Sequence, residues 1–439
     1  MIADLLIRAG RVIDPASGRD ETADVLIAGG RVRQVGRVSD AAAHVIDADG
    51  LLVCPGLIDI HVHLREPGNE DEETIESGTA AAVAGGFTTV ACMPNTSPPL
   101  DNEAAIEFIF RQAARAAHCN VLPIGALTKG RAGKELAEIG QMVRAGAVAF
   151  SDDGCGVANP AVMLRAMQYV AMFGKPVIQH CEDADLAAGG CMHHGLTSVR
   201  LGLPGIPALA EEVMVQRDIL LARQTGARYH VAHISTAGAV QMVREARQRG
   251  ISVTAEVTPH HLLLTEEGCG NYDTHFKVNP PLRTAADVAA CREGVADGTI
   301  ECLCTDHAPH GAEEKELEFQ HAPFGMVGLE SAVPLTIRAL IEPGLMDWSR
   351  WVACWTANPA RVLGIDRGTL RDSAVADVTL IDPTTDWTID ATMFRSRSRN
   401  TPFNGWKVRG RAVVTIVGGR VRNSLLDRVP TDRDSVRSR

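Results

Sequence analysis

Residues 55–68, PGLIDIHVHLREPG, decide how the rest of the chain is read. GLIDI is apolar enough to be buried, and the histidines that follow it, His61 and His63, stand two apart. In a strand that spacing sends both imidazoles to the same face. The stretch therefore predicts a buried strand that ends in paired nitrogen donors. A His-x-His pair also occurs by chance on solvated strands, but the apolar run in front of this one favours ligands, because two neutral imidazoles so placed suit zinc.

Working outward, GLIDIHVHL is the first of eight similar runs between about Cys54 and Gly364. The others are FTTVACMPN (87–95), NVLPIGAL (120–127), AVAFSDDG (147–154), PVIQHCED (176–183), YHVAHIS (229–235), SVTAEVTPHHL (252–262) and IECLCTDHAPH (300–310). Each is continuous enough to be buried on both faces, as parallel strands are, and Ala-rich amphipathic segments separate them. Eight strands alternating with helices close into a barrel whose active site lies at the C-terminal strand ends. The fold class expected is α/β, a TIM-like (β/α)8 barrel over residues 55–364. Before and after it the texture changes to short alternating runs around turns, in ADLLIRAG, ADVLIAGGRVRQVG, ADVTLIDP and RAVVTIVGGRVRN. These predict a small β-sandwich domain built from residues 1–54 and 365–424, and the polar segment 425–439 is expected to be a disordered tail.

Composition bounds the function. With 439 residues, 45% hydrophobic and 22% charged, the chain has room for a large core and a buried site. A net charge of −11, with no basic stripe, excludes nucleic acid as an expected partner. No apolar run is long enough to span a bilayer, and MIADLLIRAGRVIDP lacks the order of a signal peptide, so a cytoplasmic enzyme without membrane attachment is expected. The 11 cysteines are scattered singly, which fits buried core residues better than disulfides.

The strand ends carry the chemistry. The fourth run delivers Asp152 and Asp153, the fifth His180, the sixth His233 and the eighth Asp306. Each alone reads as a helix cap or a satisfied core group. Together with His61 and His63 they exceed what one tetrahedral zinc uses, and two ions bridged by a carboxylate fit better. Such a centre makes water acidic and polarises a carbonyl, the two needs of amide hydrolysis. A carboxylate beside it serves as general base and then general acid, a role expected of Asp306. Arg65, two residues past the histidine pair, has a planar fork suited to a substrate carboxylate.

The motifs PGLIDIHVHLREPG, TTVACMPNTSPP, FSDDG, HCED, LGLPGIPALAE, HVAHIST, EVTPHHL, KVNPPLR, TDHAPH and PFGMVGLE together resemble the amidohydrolase superfamily, and within it the long bacterial dihydroorotases. The resemblance implies reversible, zinc-dependent closure of N-carbamoyl-L-aspartate to L-dihydroorotate, a small-molecule reaction of pyrimidine synthesis. It implies that His61, His63 and Asp306 hold one zinc, that His180 and His233 hold the other, and that Asp153 bridges them. Many superfamily relatives bridge with a carboxylated lysine instead, and AVAFSDDG has none. Asn95 and His310 are implied as further partners of the substrate carboxylate, and Asn279 as a ring contact. Pro323 and Gly325, in the PFGM part of the loop GAEEKELEFQHAPFGM (311–326), are expected to meet the ring; the charged part reads equally as a closing loop or a solvated helix start.

Two rival readings stay open: a hydantoinase, dihydropyrimidinase or allantoinase, and a non-catalytic scaffold for aspartate carbamoyltransferase. A homodimer is the expectation from symmetry statistics alone. Blander expectations are that Asp59, Glu182 and Asp183 orient neighbours, that His260 and His261 support the seventh strand end, and that His193 and His194 face solvent.

Overall fold

Residues 3–426 and Val429 are described by a computed structural model of the chain. The expected tail at 425–439 therefore lies, apart from Leu425, Leu426 and Val429, outside the described residues. Five strands open the chain: β1 (Ala3–Asp14), β2 (Arg19–Ala28), β3 (Arg31–Gly36), β4 (Ala42–Asp47) and β5 (Leu52–Pro55). The middle carries β6 (Leu57–Val62), β7 (Phe87–Cys92), β8 (Asn120–Pro123), β9 (Pro176–Gln179), the two-residue β10 (Met192–His193) and β11 (Gly205–Ile206), β12 (Arg228–Val231), β13 (Val253–Val257) and β14 (Cys302–Leu303). Three strands close it, β15 (Val378–Thr388), β16 (Lys407–Val417) and β17 (Arg420–Ser424).

The fold is mixed α/β. Both chain ends share one eight-stranded sheet in the order β17-β16-β15-β5-β1-β2-β3, with β4 paired to β1. The join is antiparallel, β15 against β5, with Val378 opposite Pro55 and Leu380 opposite Val53. An apolar cluster from both ends, including Ile7, Val25, Val53, Leu380 and Val414, is buried on this sheet.

In the middle the pairings are parallel and return to their starting strand. β6 pairs β7 and β7 pairs β8; Gly125 bridges Phe150, and Phe150 bridges Val177 of β9. From there β9 pairs β12, β12 pairs β13 and β13 pairs β14, and His307 bridges back to Val62 of β6. The fourth run, expected as a strand over 147–154, forms only the isolated bridges at Phe150. It is nonetheless hydrogen-bonded on both sides, from Val148 N to the Pro123 carbonyl at 3.1 Å, Ser151 N to the Gly125 carbonyl at 2.9 Å and Ile178 N to the Phe150 carbonyl at 2.8 Å.

Along β6 the pairing register shifts between Leu57 and Ile58 and again between Asp59 and Val62, so its side chains do not keep a simple alternation. On β6, Leu57 and Val62 join the large cluster under the surrounding helices, while Ile58 and Ile60 join a second cluster with Ala91, Ile124, Ile178 and Cys302. The ring interior below the site is thus packed with side chains. The helix Ile75–Gly85 between β6 and β7 shows why each repeat turns where it does. Thr74 caps it in a reciprocal box with Ser77, and Gly86 ends it at φ 99°. A Cβ at Gly86 would stand 2.7 Å from the Ala412 side chain of β16, so the strand ring and the terminal sheet meet at a residue that must be glycine. Among the described residues no helix is long and apolar enough to cross a membrane.

Candidate metal centre and substrate pocket

His61 sits at the end of β6 and is fully buried, and His63 follows on the same side. His63 Nε2 lies 3.0 Å from Asp306 Oδ1 and 3.7 Å from Asp153 Oδ2. His61 Nε2 lies 3.4 Å from Asp153 Oδ1 and 3.6 Å from Asp306 Oδ1. His180, just past β9, places Nδ1 2.9 Å from His233 Nε2, and both nitrogens face Asp153 Oδ1, at 4.0 and 3.8 Å. Two groupings, His61 with His63 and Asp306, and His61 with Asp153 and His233, each bring their ligand atoms within 4.8 Å of one another.

This donor set fits a divalent cation. His61 Nε2 and Asp153 Oδ1 are buried without a hydrogen-bond partner. Buried polar atoms are rarely left so, and two that face each other mark a place for a third species. The 2.9 Å gap between the His180 and His233 nitrogens likewise needs a proton in it or a cation that both lone pairs share. Burial opposes charge on His61, yet the Glu256 and Asp153 carboxylates outweigh it and hold its pKa well above the usual imidazole value. Burial also opposes ionisation of Asp153, and His61 and His233 reverse this and hold it well below the carboxylate range. Asp306 is depressed in the same way, with His63 the largest opposing influence on its burial. His63 and His180 are lowered, chiefly by burial.

The neighbouring aspartates of FSDDG have separate fates. Asp152 turns back to accept the backbone N–H groups of Leu127 and Thr128, at 2.8 and 3.0 Å, and the Thr128 hydroxyl. It ties down a loop, whereas Asp153 faces the centre.

Above the histidines opens a cavity of about 350 Å³. Its lining holds His63, Asp153, His180, His233 and Asp306 together with Arg65, Asn95, Asn279, His310, Pro323 and Gly325, so the structure gathers the residues singled out in the sequence. His61 is the exception, lying beneath the floor. Asn95 bonds His63 Nδ1 at 2.9 Å and donates to Asp153 at 3.4 Å; Asn279 stands 3.4 Å from His180 Nε2. Arg65 donates to the Pro309 carbonyl at 3.0 Å and its Nη2 meets His310 Nε2 at 3.2 Å. Its Nε also pairs with Glu72 at 2.7 Å. Arg65, His233 and Asp306 all adopt left-handed backbone, with φ of 59°, 30° and 47°.

The loop after the eighth run is pinned from below. Lys315 ends a short helix, Ala312–Lys315, and donates to the carbonyls of Pro323 and Gly325 at 2.9 and 3.0 Å; Lys277 donates to those of Gln320 and Ala322 at 3.0 and 2.5 Å. The charged part is a short solvated helix start, with Glu313, Glu316 and Glu318 exposed and Lys315 alone turned inward, and a free closing loop does not describe the segment as it stands.

Several expectations change. His193 is buried, not solvent-facing: its Nδ1 meets Arg283 at 3.2 Å, inside a network with Glu211 and Ser235. His194 is exposed. Asp59 does orient neighbours, accepting His61 N at 3.1 Å and the Thr305 hydroxyl at 2.5 Å, and burial raises it to about 7. His261 supports its strand end through Thr258 and the Pro280 carbonyl, and Asp183 caps the helix Ala184–Ala187. All the cysteines are buried except Cys155. Sequence reasoning missed Glu72 and Glu256; the signal available for Glu256 was a charge at a position where the apolar run SVTAEV should have none.

Fold and polar cluster together define the class, that of the amidohydrolases: the chain superposes on L-hydantoinase from Arthrobacter aurescens with a TM-score of 0.87 at 27% identity, over 96% of both chains. Dihydropyrimidinase from Brevibacillus agri shares the fold, with a TM-score of 0.82 at 23% identity over 95% of both chains. The dihydro-orotase-like family matches residues 50–239. Dihydroorotase of Pelotomaculum thermopropionicum is 58% identical over 95% of this chain and 98% of its own length, and that of Syntrophotalea carbinolica is 53% identical over 96% and 100%. The chain belongs to the dihydroorotase family.

Proposed function

We propose that the protein is a dihydroorotase, a cyclic-amide hydrolase that interconverts N-carbamoyl-L-aspartate with L-dihydroorotate and water in pyrimidine synthesis. Identity of 58% to a dihydroorotase over nearly the whole chain carries the reading. The geometry agrees with it, since the histidine and aspartate cluster opens into a pocket holding one arginine.

In this reading His61, His63 and Asp306 would hold one zinc and His180 and His233 a second, with Asp153 as the ligand the two would share. A bound cation supplies the Lewis acidity that polarises an amide carbonyl and lets water ionise near neutral pH. The residues do the rest. Asp306, 3.0 Å from His63 and lining the cavity, takes the proton from the attacking water and returns it to the leaving nitrogen. Arg65, braced by Glu72 and His310, meets the substrate carboxylate together with Asn95 and His310. Asn279 and the Pro323–Gly325 backbone border the ring and help exclude water.

The cyclic order of parallel pairings supports a (β/α)8 barrel over 55–364, and the shared terminal sheet supports a β-sandwich formed from 1–54 and 365–424. A cytoplasmic homodimer, with or without aspartate carbamoyltransferase, completes the proposal. The test is turnover of dihydroorotate, hydantoin and allantoin by the purified protein, before and after a chelator. Dihydroorotate should be strongly preferred and its turnover should vanish with the metal. Preference for hydantoin or allantoin would reject the substrate, and chelator-resistant turnover would reject the metal.

A further inference from the structure

Glu256 lies on β13, two strands round the ring from β6, and it is fully buried. One of its oxygens, Oε1, is 2.5 Å from His61 Nδ1 and accepts the backbone N–H of His233 at 3.3 Å. The other, Oε2, is 3.3 Å from His230 Nε2. A carboxylate without solvent costs several kcal/mol of desolvation. Packing alone would be served as well by an apolar side chain of similar volume. The charge therefore needs a reason, and its contacts supply one.

A carboxylate at Nδ1 requires a proton there, so the nitrogen His61 can give up to a cation is Nε2, the atom that faces Asp153 and Asp306. The same oxygen holds the backbone of His233 in its left-handed turn, from which the second imidazole projects. We infer that Glu256 is a positioning residue of the cation centre: it fixes the tautomer of His61, sets the turn that carries His233, and makes the His61 imidazole a stronger donor. This rests on the reading of the cluster as a metal centre. Cys304 also lies near enough to His61 and Glu256 to form a three-ligand group. Burial holds its thiol well above the usual range, so it does not supply the thiolate that such a site would require.

The experiment measures zinc affinity by competition with a chromophoric chelator, on metal-free wild type, Glu256→Gln, Glu256→Asp and His61→Ala, each checked for fold by circular dichroism. Glu256→Gln should bind the wild-type number of zinc ions with about 10–100-fold weaker affinity. The cobalt-substituted form should show a shifted visible band, and Glu256→Asp should recover part of the loss. Affinity within about twofold of wild type for Glu256→Gln, while His61→Ala loses zinc, overturns the inference and leaves the centre standing. Undiminished binding by His61→Ala, or none by wild type, overturns the centre itself. If the Glu256 variants fail to fold, nitrogen-15 histidine spectra of zinc-loaded wild type decide. The resonance missing from His61→Ala should carry a downfield Nδ1 proton with Nε2 on the metal, and the reverse tautomer refutes the inference.

Discussion

Two clusters of buried polar side chains leave the same strand end, one at His233 and the other two residues later at Ser235. Around Ser235 the bonding is complete. Glu211 accepts from the backbone N–H groups of Ser235 and Thr236 at 3.0 and 3.1 Å, and Arg283 donates to the Ser235 hydroxyl and the Ile206 carbonyl, both at 3.1 Å. Around His233 it is not: His233 Nδ1, His61 Nε2 and Asp153 Oδ1 are buried and unpartnered. Burial and polarity are the same in both, so neither property marks function. What separates them is whether the protein satisfies its own donors and acceptors. The complete network locks the segment 191–206 against the ring, and the incomplete one is shaped for something the chain does not contain.

The largest effect should come from the incomplete cluster. Asp306→Asn is expected to lower kcat for dihydroorotate by about 10⁴-fold, equivalent to about 5.5 kcal/mol. Its melting temperature without metal should stay close to wild type, since no completed network is broken. A large loss of stability in that variant would erase the distinction between the clusters. Arg283→Met tests the other side. It strands the Glu211 carboxylate, 3.6 Å away, in a buried place, and should cost about 3–5 kcal/mol in urea unfolding with zinc content per folded chain unchanged.

A third measurement uses pH. Burial first, and then the charge of Arg283, lower His193 from 6.5 to about 4. The unfolded chain then binds a proton more readily than the native one between those values. Stability from this group is present above pH 6.5 and lost as pH falls to about 4, by at most about 3 kcal/mol. His193→Asn should flatten that part of the unfolding profile, and an unchanged slope would mean that His193 does not report on the network. The smallest effect belongs to the pocket wall. Arg65→Lys should raise KM for dihydroorotate about tenfold with kcat nearly kept, because one ammonium cannot reproduce a bidentate fork while Glu72 still holds it. A fall in kcat without change in KM would move Arg65 from binding to chemistry.

The sequence made the ring order legible because several apolar runs end in polar residues, such as His61, Asp153, His180 and Asp306. Period two then sufficed to say that His61 and His63 share a side. The same reasoning failed for His193. CMHHG offers no periodicity, and its partner Arg283 lies 90 residues further on, so nothing local announced burial. For Glu256 the charge inside SVTAEV was visible but its partner was not, since it acts across 195 positions on His61. Pairwise chemistry at that separation is decided by ring closure and leaves no local pattern. The fourth run was read too long only at its end: its ladder bonds stop at Ser151, and nothing in AVAFSDDG marks where pairing ceases.

Left-handed backbone at Arg65, His233 and Asp306 bears on any attempt to make this protein tolerate heat. Each such turn costs a side-chain-bearing residue about 1–2 kcal/mol, so glycine at any of the three would be among the simplest stabilising replacements in the chain. All three positions are closed to it, since each projects a side chain into the pocket. Durability must be sought in the helices and surface turns, and the enzyme will carry a permanent local weakness where its substrate sits.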